Sequence, residues 1–423
     1  MHDTLTLARA EARRLAEDAA RVRRWKRWGP YLSERQWGTV REDYSPHGTA
    51  WEYLPHDAAR SRAYRWGEDG IAGVSDDQQR LCLAVALWNG RDPILKERLF
   101  GVTNSEGNHG EDVKELYYYL DATPTHSYLK MLYKYPQGAF PYARLVEESR
   151  RRGQEQPEFE LIDTGILDED RYFDVFVEYA KAAPNDILMR ITVHNRGPEE
   201  APIDVLPQLW FRNRWSWTDN ATRPELHAAG PGAIAARHPE LGSYVLHCDA
   251  DATLLFCDND TNAPRQFGFG ASGHYKDAFH DYVVADRRDA VNPERAGTKA
   301  GALHRLIVPA GSSAQVRVRL TEAPSPADPF ADFDAVVAQR TREADDFFET
   351  LPSAPRDAER RAVQRQAFAG LLWSKQFYYY DVPQWLRGDP AQPPPPSGRL
   401  KGRNHDWQHL NNADVISMPD TWE

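Results

Sequence analysis

The densest group of chemically capable side chains is Glu106-Gly-Asn-His-Gly-Glu-Asp112. Carboxylates accept hydrogen bonds from hydroxyl groups, while Asn and His can both donate and accept. The two glycines allow backbone shapes closed to other residues. Such a loop suits a polyhydroxylated ligand, with Glu106, Asn108, His109, Glu111 and Asp112 as candidate contacts. A surface loop that satisfies only its own backbone would have the same composition. A second group, Tyr64-Arg-Trp-Gly-Glu-Asp-Gly70, sets the indole of Trp66 beside Arg65 and two acids. An indole face can lie against the apolar face of a pyranose while carboxylates take its hydroxyls. The competing reading is a β-turn with Trp66 in the core. A third group is His405-Asp-Trp-Gln408, followed by Asn411-Asn412 and by Trp422-Glu423. It reads as a loop over a site.

Missing motifs narrow the chemistry. The sequence has no nucleophile elbow, phosphate loop, dinucleotide fingerprint or metalloprotease helix. His109, Asp112 and His126 match no zinc spacing, so neither metal nor cofactor is expected. Glycoside hydrolysis needs two carboxyls flanking one bond, about 5 Å apart for retention and about 6.5–9.5 Å for inversion. Glu106, Glu111 and Asp112 qualify by type, but spacing singles out no pair among 63 acids.

These groups need a scaffold, and the chain is long enough to bury one. It has 423 residues, 41% of them hydrophobic and 11% aromatic. A net charge of −11 without a basic stripe argues against nucleic acid as a partner. No apolar run approaches the roughly 18 residues of a membrane span. The first residues are charged throughout, with no apolar signal region, so a cytoplasmic location is expected. Cys82, Cys248 and Cys257 are too few for a disulfide framework and are expected to be buried free thiols. Cys248 and Cys257 fall on consecutive strand-like runs and could lie close together. Trp210, Trp215 and Trp217 form one of several tryptophan groups expected mainly in the core or at domain interfaces.

Periodicity supplies the elements. Residues 4–27 read as a helix ended by Gly29-Pro30. From 31 to 325 strand signals dominate. Gln79–Asn89 is a long apolar run, and Tyr-rich runs flank the turn at Asp121–Pro124. Between Arg171 and Lys181, Phe173, Val175, Val177 and Tyr179 make one wholly apolar face. Few helices separate these runs, so a large antiparallel β-sandwich is expected, not a parallel sheet. Asp332–Leu351 and Pro355–Tyr380 read as two helices, and the last stretch as irregular. The expected organisation is an N-terminal helix (1–30), a β-sandwich (31–325), a linker helix (326–354) and the start of a helical domain (355–423). Two helices cannot bury a core of their own. The expectation is therefore a chain that stops inside that domain, or a last segment packed on the sandwich.

Three stretches, residues 60–101 (RSRAYRWGEDGIAGVSDDQQRLCLAVALWNGRDPILKERLFG), 106–137 (EGNHGEDVKELYYYLDATPTHSYLKMLYKYPQ) and 404–423 (NHDWQHLNNADVISMPDTWE), resemble bacterial members of glycoside hydrolase family 63. That family includes processing α-glucosidases, and relatives of its barrel hydrolyse mannosylglycerate and glucosylglycerate. The resemblance covers essentially the whole chain. It implies an N-terminal β-sandwich joined by a linker to a six-hairpin α/α barrel, hence a mainly β chain with an incomplete barrel. The implied reaction is inverting hydrolysis of an α-glycosidic bond, in which one acid protonates the leaving oxygen and one base activates water. In the family, a segment like Met418-Pro-Asp-Thr-Trp-Glu423 runs into a Trp-Asp pair whose Asp is the general acid, with the base much later. This chain ends at Glu423, before either, so the resemblance assigns catalysis to no residue here. It implies binding roles only. The 106–112 loop would reach toward the barrel mouth, and Trp422 and Glu423 would line the site. The expected partners are a carbohydrate substrate and, for packing, the barrel. The alternative is a non-catalytic carbohydrate-binding or scaffold sandwich.

Overall fold

Leu81–Trp88 is almost uniformly apolar because both of its faces are covered. Leu81, Leu83, Val85 and Leu87 enter the core between two sheets. On the other side Cys82 and Ala84 meet Leu32 and Trp210, and Ala86 meets Leu206 and Phe279. Alternation disappears from a strand buried in this way. These relations come from a computed structural model, which describes residues 2–39, 54–102, 112–153, 155–217, 221–352, 355, 357–402 and 404–417.

The strand lies in a six-stranded sheet ordered Trp28–Gly29, Ile71–Asp76, Leu81–Trp88, Ala201–Phe211, Lys299–Val308 and Thr253–Cys257. Facing it is a nine-stranded sheet. Its order is Ala296–Gly297, Glu225–Gly230, Ala233–His238, Gly242–Cys248, Ser313–Glu322, Asp186–Asn195, Tyr172–Ala183, Tyr128–Pro136 and Leu116–Ala122. Pairing within both sheets is antiparallel. Side chains from the two sheets share one core, so the chain is mainly β and built on a large antiparallel sandwich.

Tyr172–Ala183 shows how the period of two is used. Phe173, Val175, Val177 and Tyr179 point into the core. On the opposite face Asp174 is held by Lys134 (2.7 Å) and Arg196 (2.6 Å), and Glu178 by Tyr128 (2.7 Å) and Arg190 (2.9 Å). Helix Phe333–Glu349 covers Ala180 with Phe333 and Val337. The N-terminal helix packs beside it through Arg14, which bridges Glu11 and Glu343.

Three local expectations need correction. The first helix runs from His2 to Ala19, not to residue 27, because Arg21 takes a left-handed φ of 56° and breaks it. The carbonyls of Trp25 and Trp28 then turn to the buried Lys181 ammonium. Second, the helix expected over Pro355–Tyr380 ends at Trp373, and Lys375–Asp381 is a strand paired with Asn411–Ser417. The Phe-Tyr-Tyr-Tyr run favours a pleated surface over a helix. The final stretch expected to be irregular supplies the partner strand. Third, Cys248 and Cys257 lie in opposite sheets. All three thiols are free and buried. Burial pushes the Cys82 and Cys257 thiols up, and Cys248 to about 12. A thiol-specific reagent at neutral pH is therefore expected to label no cysteine in the folded chain and all three after denaturation. Fast labelling of native protein would contradict this burial.

The segment after the sandwich packs back onto it. Ala369 and Trp373 enter the main core, where Trp373 stacks on Tyr119 at 5.2 Å and 8°. Tyr380, Val382 and Trp385 form a second apolar cluster with Trp37, Tyr64 and Trp66. Backbone bonds from Phe377 to Tyr31 (3.0 Å) and from Tyr379 to Trp66 (3.2 Å) fix this junction. Val363 and Leu371, on helix Ala358–Trp373, are exposed. Among the described residues, no helix is long and apolar enough to cross a membrane.

Candidate functional site

Two strands that flank Lys299–Val308 in the six-stranded sheet end at the same edge and build the site. Ala201–Phe211 runs out into Arg212-Asn-Arg-Trp-Ser-Trp217, and Thr253–Cys257 into Asp258-Asn-Asp-Thr261. Asn213 ties the two exits together, donating to the Asn259 carbonyl (2.9 Å) and to Asp260 (2.6 Å). Asn259 reaches back to the Phe211 carbonyl (2.9 Å) and to Glu68 (2.9 Å). Each buried amide thus has two acceptors, and these bonds tie the two loop exits to each other and to the sheet.

Above these exits lies an open cleft of about 400 Å³, with Trp215, Trp217, Arg223, Asp260, Tyr275 and Asp389 among its walls. Asp260 accepts from the Trp215 indole (2.9 Å) and from Arg223 (2.8 Å). Arg223 also pairs with Asp258 (2.8 Å) and lies over the Trp215 ring at 5.2 Å. Burial raises the Asp260 carboxyl, and Arg223 and the indole pull it back. Asp389, from the loop after the junction helix Val382–Arg387, accepts from the Trp217 indole and from Gln392 (3.1 Å). The cleft is thus closed on one side by the sandwich and on the other by the segment that follows it.

Arg65 and Trp66 lie behind this cleft and are buried. The Arg65 guanidinium sits between two indoles, 5.4 Å from Trp66 and 5.1 Å from Trp217. It donates to the Gln384 carbonyl (3.3 Å) and lies 3.8 Å from Asp389. Trp66 stacks on Tyr379 at 5.6 Å and 26°. The pair therefore joins the sandwich to the 375–389 segment and backs Trp217. Glu106, Asn108, His109, Glu111, Trp422 and Glu423 lie outside the described residues. Asp112 pairs with Val102 in a short two-stranded sheet, its side chain outside the description. Gly101 pairs with Val113 beside it, so the two ends of the 103–111 segment are held together. In the third group Trp407 is exposed and stacks on His409 at 5.8 Å, and Asn412 donates to the Tyr378 carbonyl (3.0 Å). His126, one of the residues weighed for metal binding, is buried between Tyr31 and Lys375. Among the described residues, no group of three or more His, Cys, Asp or Glu could hold a metal ion.

A second polar cavity lies deeper, among Glu68, Glu97, Arg98, Asn259, Lys276 and Lys299. Its volume is about 10 Å³, room for at most a single water. Burial raises Glu97, but Lys299 at 2.6 Å and Arg98 outweigh it and hold the carboxyl at about 2. This cluster supports the loops above it and is too small for a ligand.

Sequence reading passed over the residues that wall the cleft. It noticed Trp215 and Trp217 only as members of a tryptophan group. The available signal was a change of pattern after Phe211, where apolar alternation gives way to tryptophans interleaved with polar residues.

No known family profile matches the chain. It is 43% identical, over 471 aligned positions, to the uncharacterised protein YMR196W of Saccharomyces cerevisiae. The alignment takes in all of this chain but spans 43% of the yeast protein. Among solved structures, the 4-alpha-glucanotransferase of Thermococcus litoralis is 11% identical with a TM-score of 0.25, over 64% of this chain and 31% of that one. An Escherichia coli K12 chain provisionally assigned as an aldose 1-epimerase is 10% identical at 0.23, over 48% and 67%. A human-microbiome chain provisionally assigned as a kojibiose phosphorylase is 8% identical at 0.23, over 77% and 38%.

Proposed function

We propose that this chain is the N-terminal portion of an inverting α-glycosidase acting on α-glucosides or α-mannosides of oligosaccharides or small glycosides. The sandwich holds sugar, and the catalytic acid and base are supplied beyond residue 423. The observation that carries the reading is the cleft, where two indoles, anchored by Asp260 and Asp389, stand beside an arginine and a tyrosine. Aromatic faces set among polar groups suit a ring that is apolar on its faces and hydroxylated at its rim. In this reading Arg65 and Trp66 act from behind Trp217. The 106–112 loop, Trp422 and Glu423 contact sugar on the side of the catalytic part. The chain spans 43% of the length of the yeast relative, so a protein of that size has room for a catalytic part outside this stretch.

The test compares the 423-residue chain with a reading frame extended past it, on a panel of α-glucosides and α-mannosides. The expected result is turnover by the longer protein only, with the sugar released first as its β-anomer, the mark of inversion. Turnover by the 423-residue chain would overturn the placement of the catalytic pair, and release of the α-anomer would overturn inversion. An inert longer protein whose cleft still binds sugar would favour the non-catalytic carbohydrate-binding reading.

A further inference from the structure

We propose that the Trp215–Trp217 cleft is a subsite for a neutral pyranose residue that turns away sugars carrying a carboxylate or phosphate. This deepens the sugar-binding part of the proposed function and rests on it. Both indole N–H groups are engaged, Trp215 with Asp260 and Trp217 with Asp389. Their ring planes are therefore fixed from the rim, and the faces are what they can offer a ligand. Arg223 lies over Trp215, and Arg65, which is fully buried, lies over Trp217 from behind. The face of Trp217 turned to the cleft is the one left to a sugar ring.

The charges are matched in the same way. Arg223 is paired with both Asp258 and Asp260, and Arg65 lies 3.8 Å from Asp389. Among the described residues that line the cleft, two carboxylates, Asp260 and Asp389, stand against one guanidinium, Arg223, which is already paired with Asp258 and Asp260. An anionic sugar entering here would meet these carboxylates and an arginine already engaged, and like-charge repulsion would disfavour it. Neutral hydroxyl chemistry is served by what remains. The Thr261 hydroxyl oxygen accepts from the Ala63 amide (3.0 Å), and its own proton remains a donor that can rotate toward a ligand. The Tyr275 hydroxyl donates to the Ala271 carbonyl, which leaves its oxygen as an acceptor. One donor and one acceptor beside an indole face describe a contact for a hydroxylated, uncharged ring.

Methyl α-D-glucopyranoside and methyl α-D-glucuronide differ only in having a hydroxymethyl or a carboxylate at C6. Titration of the 423-residue chain with each, followed by ligand-observed NMR, is expected to show binding of the neutral glycoside and at least tenfold weaker binding of the glucuronide. Trp217→Ala should weaken the neutral glycoside at least tenfold. Trp217→Phe, which keeps a smaller face and guards against misfolding, should fall between. Equal or tighter binding of the glucuronide, or unchanged binding in folded Trp217→Ala, would overturn the proposal. So would binding of neither sugar, although turnover by the longer protein would then leave the glycosidase reading standing. Selective binding beside an inert longer protein would keep the subsite and remove the enzyme.

Discussion

Replacing Lys96 with methionine will lower folding stability by about 3–5 kcal/mol, the usual consequence of stripping one member from a buried charge cluster. Lys96 is buried, with its ammonium 2.7 Å from Glu115, 2.8 Å from the Tyr142 hydroxyl and 3.8 Å from Asp92. It also lies 3.7 Å from the centre of the Phe140 ring. Glu115 accepts from the Tyr133 hydroxyl (2.7 Å) and from the Phe100 amide (3.0 Å). Methionine keeps the length of the side chain and removes the charge, so two buried carboxylates lose their cation. Burial already raises the pKa of both, against the pull of Lys96. A folded pKa above the unfolded one means that the folded state holds more protons in the window between them. Stability therefore rises as pH falls through that window. Without Lys96 the window widens, so the deficit of the variant should be smaller near pH 5 than near pH 8. Urea denaturation at both pH values measures it, and Lys96→Met combined with Glu115→Gln should recover part of the loss. A loss below roughly 1 kcal/mol, with no pH dependence, would show that the cluster does not hold the fold. The cluster also has a bearing on function. Through Phe100 it holds the strand Gly101–Val102, from which the 103–111 segment departs.

The sandwich was legible because its signals are local. The apolar face of Phe173, Val175, Val177 and Tyr179 is a period-two pattern readable without a partner. The run from Leu81 to Trp88 was readable as a buried strand from its length and composition alone. The strand Lys375–Asp381 was not legible, because its partner Asn411–Ser417 lies beyond a polyproline loop and the helix before it offers no break. The cleft was hidden for a related reason. Trp215 becomes a wall through Asp260, 45 positions away, and Trp217 through Asp389, 172 positions away. A tryptophan buried in a core and one held by its rim at an opening look the same in sequence. Arg65 and Trp66 drew notice for their types. Their place behind the cleft depends on Gln384, Asp389 and Tyr379, which only the folded junction brings near.

Arg65→Met tests that junction and should cost on the order of 3 kcal/mol, because it removes a fully buried cation from a carboxylate and from two indole faces at once. Asp389 would keep the Trp217 indole, Gln392 and the Ala391 amide (2.8 Å) but lose the Arg65 guanidinium at 3.8 Å. Arg65→Lys should not rescue it. An ammonium cannot lie flat between Trp66 and Trp217, nor reach the Gln384 carbonyl and Asp389 in one fork. The loss should be local before it is global. Residues 382–392 should become sensitive to protease at temperatures where the sandwich, judged by far-UV circular dichroism, is intact. Sugar affinity at the cleft should fall with it, since Trp217 loses its backing on one face and the carboxylate at its rim shifts. A variant as stable as the parent, with the same cleavage pattern, would mean that the contacts around Tyr379 and Trp385 hold the junction unaided. Arg65 would then be a bystander to the cleft and not the residue that positions it.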